Sequence, residues 1–343
     1  MRKKLVKFAG RARQTGSNCQ KPGGTKKAEK KLNQPHLILG IGELLWDLLP
    51  DGARLGGAPA NFTLMAGRLG NHAAILSRVG RDTLGREAID QLNELPVDAA
   101  HVGVDTQHET GQVAVSFVDG EPSYQIHEPA AWDFLELTDA WVQLAERADA
   151  LCFGSLAQRC RESRQTIQTL AAQTKSRCIR VFDANLRPPF YSGEIIQESF
   201  ELATVVKLNE HELPMILGLL GMQASEAPNG EGQRQDAERL LAEFPMLEMV
   251  AVTRSAHGSL LMKRGEWHEH PGCPAEVVDT VGTGDAFTAA LTHYMLQGAD
   301  LATINEAANR WGSWVATQSG AMPALTAEVL EAISNEIEAP AGR

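Results

Sequence analysis

Asp279-Thr280-Val281-Gly282-Thr283-Gly284-Asp285 places two glycines, two hydroxyls and two carboxylates within seven residues. An apolar run, Ala275-Glu276-Val277-Val278, precedes it, and a helical apolar pattern (Phe287, Ala290, Leu291, Tyr294, Met295) follows. The spacing predicts a strand, a tight glycine turn and a helix with Asp285 in its first turn. A helix start gathers unpaired N–H groups and the positive end of a dipole at one point, which suits an anion. A carboxylate beside a phosphate that is merely held would repel it. The carboxylate has a task if it takes the proton of a hydroxyl attacking a phosphoryl group bound by those N–H groups. The plain alternative is an aspartate that only complements the helix dipole.

Three more polar clusters follow short apolar runs. Asp183-Ala184-Asn185-Leu186-Arg187-Pro188 follows residues 179–182, Asn209-Glu210-His211-Glu212 follows 205–208, and Thr253-Arg254-Ser255-Ala256-His257-Gly258 follows 250–252. With the runs at 37–39, 73–80 and 150–153, these short strands alternate with helical patterns. That rhythm predicts an α/β fold with a mainly parallel sheet, in which ligands bind beyond the C-terminal strand ends. Residues 46–55 and a hairpin at 110–127, turning at Asp119-Gly120, break the rhythm and predict a small separate β-sheet.

The folded part is expected from about residue 34 to 335, with a short tail at 336–343. Residues 1–33 carry eleven Lys/Arg and one acid, about +10, so the remainder carries about −21 of the net −11. This segment reads as a disordered basic tail, with an organelle transit peptide as the alternative. The acidic body argues against nucleic-acid binding, and no apolar run approaches the ~20 residues of a membrane span. Five scattered cysteines without a C-x-x-C pair read as reduced thiols of a cytoplasmic protein. Gly40-Ile41-Gly42 follows the first strand, but Leu45 stands where a dinucleotide-binding fingerprint needs its third glycine, and no Walker-type G-x-x-x-x-G-K-[ST] occurs. His268 and His270 share one face of an expected exposed strand near Cys273, without a fourth metal ligand.

Gly56-Gly57-Ala58-Pro59-Ala60-Asn61 with Gly67-Arg68-Leu69-Gly70, and the stretch from Asp279 to Phe287, resemble the two signatures of the ribokinase-like (PfkB) carbohydrate kinases. Asn209 and Glu212 are similar to that family's N-x-x-E, and the loop after Thr253 to its nucleotide loop. The resemblance spans about residues 36–330. It implies a three-layer α/β/α domain whose small sheet, about 46–56 and 109–128, acts as a lid. It implies ATP and Mg²⁺ as requirements and a sugar as acceptor; the exposed lid strands leave unpaired edges that could pair between two copies in a homodimer. Asp285 then corresponds to the base and Gly282, Thr283 and Gly284 to the anion hole. Asp47, Gly56, Gly57 and Asn61 correspond to the sugar site. Asn209, Thr253, Gly258 and Asn309 fall around the nucleotide, Glu212 organises Mg²⁺ through water, and Asp279, Thr280 and Gly320 fall where the family holds a monovalent cation such as K⁺. Ser255 departs from the expected T-x-G-x-x-G and would be strained at a positive φ.

Gly42-Glu43, Asp47 and Pro50, with Asp183 to Pro189, look most like the fructokinase branch. Arg187 could instead grip the carboxylate of an acid such as 2-keto-3-deoxygluconate, or pair internally with Asp183. A ribokinase-type kinase and a non-catalytic sugar-binding regulator are the remaining alternatives.

Overall fold

A computed structural model describes residues 35–49, 52–118, 121–226 and 230–338. The expected basic tail, the Pro50-Asp51 turn, the Asp119-Gly120 turn and residues 339–343 lie outside these. From Pro35 onward the chain is one compact unit.

The elements alternate as the apolar rhythm requires: β1 (Leu37–Ile41), β2 (Leu45–Leu49), β3 (Gly52–Gly56), α1 (Ala58–Arg68), β4 (His72–Gly80), α2 (Thr83–Asn93) and β5 (Val102–Asp105). The hairpin β6 (Gly111–Val118) and β7 (Glu121–Ile126) follows, then α3 (Asp139–Arg147), β8 (Ala150–Gly154), α4 (Arg161–Gln173), β9 (Ile179–Asp183), α5 (Gly193–Leu202), β10 (Val205–Asn209) and α6 (Glu212–Leu219). The last third holds α7 (Gly230–Glu243), β11 (Met249–Thr253), β12 (Ser259–Lys263), β13 (Glu266–His270), α8 (Thr283–Leu296), α9 (Leu301–Ala316) and α10 (Ala327–Glu338). Polar side chains set several helix starts. Asp82, Thr138, Ser192 and Asp300 each accept an N–H from the first turn of α2, α3, α5 and α9, respectively.

Among the described residues the main sheet has nine strands in the order β13-β12-β11-β10-β9-β8-β1-β4-β5. From β11 to β5 every pairing is parallel, and β12 and β13 add an antiparallel edge. The order reverses at β1, which lies between β8 and β4, so the C-terminal ends of these strands open a crevice. Two apolar layers cover the sheet: one gathers Phe153, Phe182, Phe200 and the inner faces of α3 to α7, the other Phe62, Phe287, Trp311 and the inner faces of α1, α8, α9 and α10. The expected α/β/α layering is therefore present.

A separate four-stranded sheet runs β3-β2-β6-β7. Its β2–β6 pairing is parallel and the outer pairings antiparallel. Leu44, Trp46 and Leu55 pack under it against Ile75, Val79 and Leu92, fixing it to the body on that side. No described helix is long and apolar enough to cross a membrane.

Two boundaries differ from expectation. Residues 275–278 form no strand: Val277 and Val278 are 63% and 66% exposed, and their stretch pairs with no neighbouring strand. The last helix continues to Glu338, past the expected tail boundary at 336, because Ile337 is buried in the core.

Candidate active site

Gly282 begins the site. It caps α8 in the left-handed region at φ +78°, and an added Cβ would lie 2.6 Å from the Ala321 Cβ. Glycine alone makes this entry without strain. The loop before it is irregular, yet the anion site needs only the helix start, so the absent strand costs it nothing. Thr283 anchors the turn by donating its hydroxyl to the Thr280 carbonyl at 2.9 Å.

Asp285 follows in the first turn of α8 and is 8% exposed. Its Oδ2 accepts a 2.7 Å hydrogen bond from Asn61 Nδ2, which joins α8 to the first turn of α1. Burial, reinforced by the charge of Asp183, pushes the Asp285 carboxyl up to about 6; the Asn61 bond, Lys207 and Arg187 pull the other way.

Beneath the turn lies a buried charged cluster. Asp183 at the end of β9 receives Lys207 Nζ of β10 at 3.1 Å on one oxygen and the Thr288 hydroxyl of α8 at 2.8 Å on the other. Burial alone would discharge Lys207, but Asp183, Glu212 and Asp285 outweigh it and hold the ammonium above its usual range. A Cβ on Gly284 would come within 2.8 Å of Lys207 Nζ, so glycine lets the turn sit directly on this cation.

On the facing wall, a Cβ on Gly56 would meet Asp47 Oδ2 at 2.7 Å, and Gly57 at φ +108° sits against the Glu43 carbonyl. Burial pushes Asp47 up to about 6, with Arg187 opposing and Asp279 adding to the rise. Asp47, Asn61, Arg187, Asp285 and the 282–284 turn all line one cavity of about 390 Å³. Arg187 is exposed in it and does not pair with Asp183, whose carboxylate is taken by Lys207 and Thr288; it donates to the Leu186 carbonyl at 3.2 Å. The alternative of a pair with Asp183 is thus not formed, and Arg187 lines the cavity beside its bond to Leu186.

The residues expected around the nucleotide lie outside that cavity lining. Asn209 and Thr253 are paired across β10 and β11. Asn209 Oδ1 accepts the N–H groups of His211 and Glu212, capping α6. Gly258 sits at φ +80° against the His270 carbonyl, and Ser255 adopts φ +51°, the strained geometry its departure from glycine predicts. Asn309 Nδ2 lies within hydrogen-bond distance of Ser259 Oγ, the Asn305 carbonyl and Asn305 Oδ1, tying α9 to the start of β12.

Glu212 accepts the Leu186 and Asn209 N–H groups, one on each carboxylate oxygen. It is 6% exposed. That donor set suits ordering waters around a magnesium ion more than direct ligation. At the position expected for a monovalent cation, the Asp279 side chain bonds within its own loop. Its oxygens accept the Gly320 and Val281 N–H groups, and Arg54 Nη1 stands 3.5 Å away. The Thr280 carbonyl is likewise engaged by Thr283. His268 contacts Asn305 and His270 pairs with Glu306, so the expected exposed H-x-H strand is an edge strand whose second histidine is buried. Among the described residues, no group of three or more His, Cys, Asp or Glu is placed to hold a metal ion.

The match to known proteins decides the class. Residues 52–328 match the pfkB family carbohydrate kinases. The chain belongs to that family. This PfkB carbohydrate kinase is a sugar phosphotransferase, and the ribokinase-like layering and separate sheet follow from that membership. It is 31% identical to a fructokinase of Escherichia coli over 306 residues, covering 83% of this chain and 94% of that one. A fructokinase from Vibrio cholerae O395, solved with fructose, ADP and calcium, superposes with a TM-score of 0.70 at 28% identity, covering 87% of this chain and 98% of that one. A sugar kinase from Pyrococcus horikoshii solved in complex with ATP gives 0.71 at 29%, covering 83% and 94%.

Two contributors, Lys207 and Thr288, were not singled out in the sequence, and Glu43 and Asp183 stood there only within motifs, without a role of their own. Lys207 had a signal, a lone charge inside the apolar strand Val205-Val206-Lys207-Leu208. Thr288 had none, since its partner Asp183 is 105 residues away.

Proposed function

We propose that this kinase transfers the γ-phosphoryl group of ATP to a hydroxyl of fructose. The observation that carries the phosphotransfer is the buried Asn61–Asp285 contact beside the glycine turn of α8. Asn61 holds Asp285 Oδ2 and leaves Oδ1 to take the proton of the sugar hydroxyl. The hydroxyl oxygen attacks the γ-phosphorus, the bond to ADP breaks, and ADP leaves with the pair of electrons. The N–H groups of Gly282, Thr283 and Gly284 stabilise charge on the phosphoryl oxygens, and the Lys207 ammonium adds positive charge beneath them. Glu212 and Asn209 would order the waters of a magnesium ion accompanying ATP, which would supply further positive charge there.

Asp47, Gly56, Gly57 and Asn61 bind the sugar, and the loops bearing Asn209, Thr253 and Gly258 bind the nucleotide. The small sheet carries Asp47 over the cavity and acts as a lid that excludes water, so ATP is not spent on hydrolysis. Among the described residues its outer strands β3 and β7 pair with no further strand, which favours a homodimer through the lid.

Fructose is supported by the fructokinases above, which match across nearly their whole length. A sugar-acid acceptor is the second reading, favoured by Arg187 facing the cavity without Asp183. A coupled ATP-consumption assay against neutral sugars and sugar acids decides between them. Fructose should give the highest kcat/KM. Turnover confined to a sugar acid, and lost selectively in Arg187→Ala, would replace fructose with the second reading.

A further inference from the structure

Glu43 lines the cavity but has no part in the phosphotransfer described above. It follows β1 and precedes β2, at the strand end where the sheet order reverses. Only 4% of it is exposed, yet it lines the same cavity as Asp47, Asn61 and Asp285. Its Oε2 is buried and has no hydrogen-bond partner. The N–H of Ala58 at the start of α1 and its own N–H face the carboxyl, and neither engages Oε2. Asn61 Oδ1, one turn into α1, is a second buried oxygen without a partner. Two buried oxygens orphaned on one wall are rare in a finished protein interior, where such atoms are nearly always paired. A polyhydroxy ligand supplies the matching O–H groups, and the carboxyl in turn can accept or donate.

We propose that Glu43 is a further substrate-contacting residue of this kinase, its Oε2 bonding a sugar hydroxyl other than the one that faces Asp285. Burial pushes the Glu43 carboxyl up to about 7, against the pull of its own N–H and with Asp285 adding to the rise. Near neutral pH it therefore holds a proton much of the time. This spares Asp285 a second full negative charge nearby and lets Glu43 donate to a hydroxyl oxygen. The inference rests on the sugar-kinase activity of the family and is independent of which sugar is preferred.

The test is steady-state kinetics of Glu43→Gln and Glu43→Ala against the preferred sugar and its single-deoxy analogues. Glu43→Ala should raise KM for the sugar by ~10-fold or more, with kcat and KM for ATP changed little, as expected for an interaction made equally in ground and transition states. Glu43→Gln, which keeps the shape and one donor, should lose less. For one deoxy analogue, the one lacking the contacted hydroxyl, the Glu43→Ala penalty should vanish. A penalty of equal size on every analogue would mark a merely structural role and overturn the proposal. So would unchanged KM for the sugar in the folded Glu43→Gln and Glu43→Ala proteins. A wild-type protein that phosphorylates no sugar would overturn the activity itself, and that outcome is read before any variant is made.

Discussion

Lys207 is the residue whose environment does most to tune the proposed base. It is a buried ammonium on a central strand, held by Asp183 at 3.1 Å and acting on Asp285. Removing it leaves Asp183 buried without its cation, which costs roughly 3–5 kcal/mol. It also removes one of the influences that lower the Asp285 carboxyl. Lys207→Met should therefore lower the unfolding midpoint and move the acid limb of kcat/KM above about pH 6, as read from denaturant curves and a pH–rate profile. An acid limb left in place would show that Lys207 acts only as a structural ion pair. Asp285 and the glycine turn were legible in the sequence because their chemistry is local: a tight turn, a helix start and a carboxylate in the first turn. Glu43 and Lys207 were not, because each gains its meaning from residues that the fold brings to it.

At the scale of elements, the site depends on where the hairpin β6–β7 is rooted. Arg159 grips that root: two of its nitrogens reach Asp133 at 2.7 Å each, and Nη2 also donates to the His127 carbonyl at 2.8 Å. Its guanidinium lies between the rings of Trp132 and Phe190, 4.0 and 4.7 Å from their centres. Arg159→Ala should destabilise the protein by about 3–5 kcal/mol through the stranded Asp133 carboxylate. Arg159→Lys should recover little of it, since a point charge reproduces neither the fork nor the stacking. Full recovery by lysine in denaturant unfolding would contradict this. Strand and helix spacing was readable wherever apolar residues were also buried, as in β8 to β11. It misled at Val277 and Val278, where β-branched residues suggest a strand but point to solvent. It stopped short of the end of α10, where a single buried side chain, Ile337, extends the helix.

Across the whole molecule, residues far apart in sequence converge on the reversal of the sheet order at β1. Asp47 and Asn61 come from the first fifth of the folded chain and Asp285 from its last, and Asn61 touches Asp285 across 224 residues. The layered fold and the reaction class were legible from rhythm and motif order. The coupling of carboxyls around one cavity was not, since it exists only once α1 and α8 pack together. That coupling gives the account its clearest consequence. Asp285 must be ionised to take a proton, and its carboxyl lies near 6. Wild-type kcat/KM should therefore be high at neutral pH and fall as pH drops through about 6. The most direct test is the pH–rate profile of Asp285→Asn beside the wild type, with sugar binding measured by calorimetry. The account predicts a kcat reduced by roughly 10²–10⁴-fold across the pH range, with sugar affinity little changed. A variant that keeps near-wild-type kcat at neutral pH would contradict Asp285 as the base.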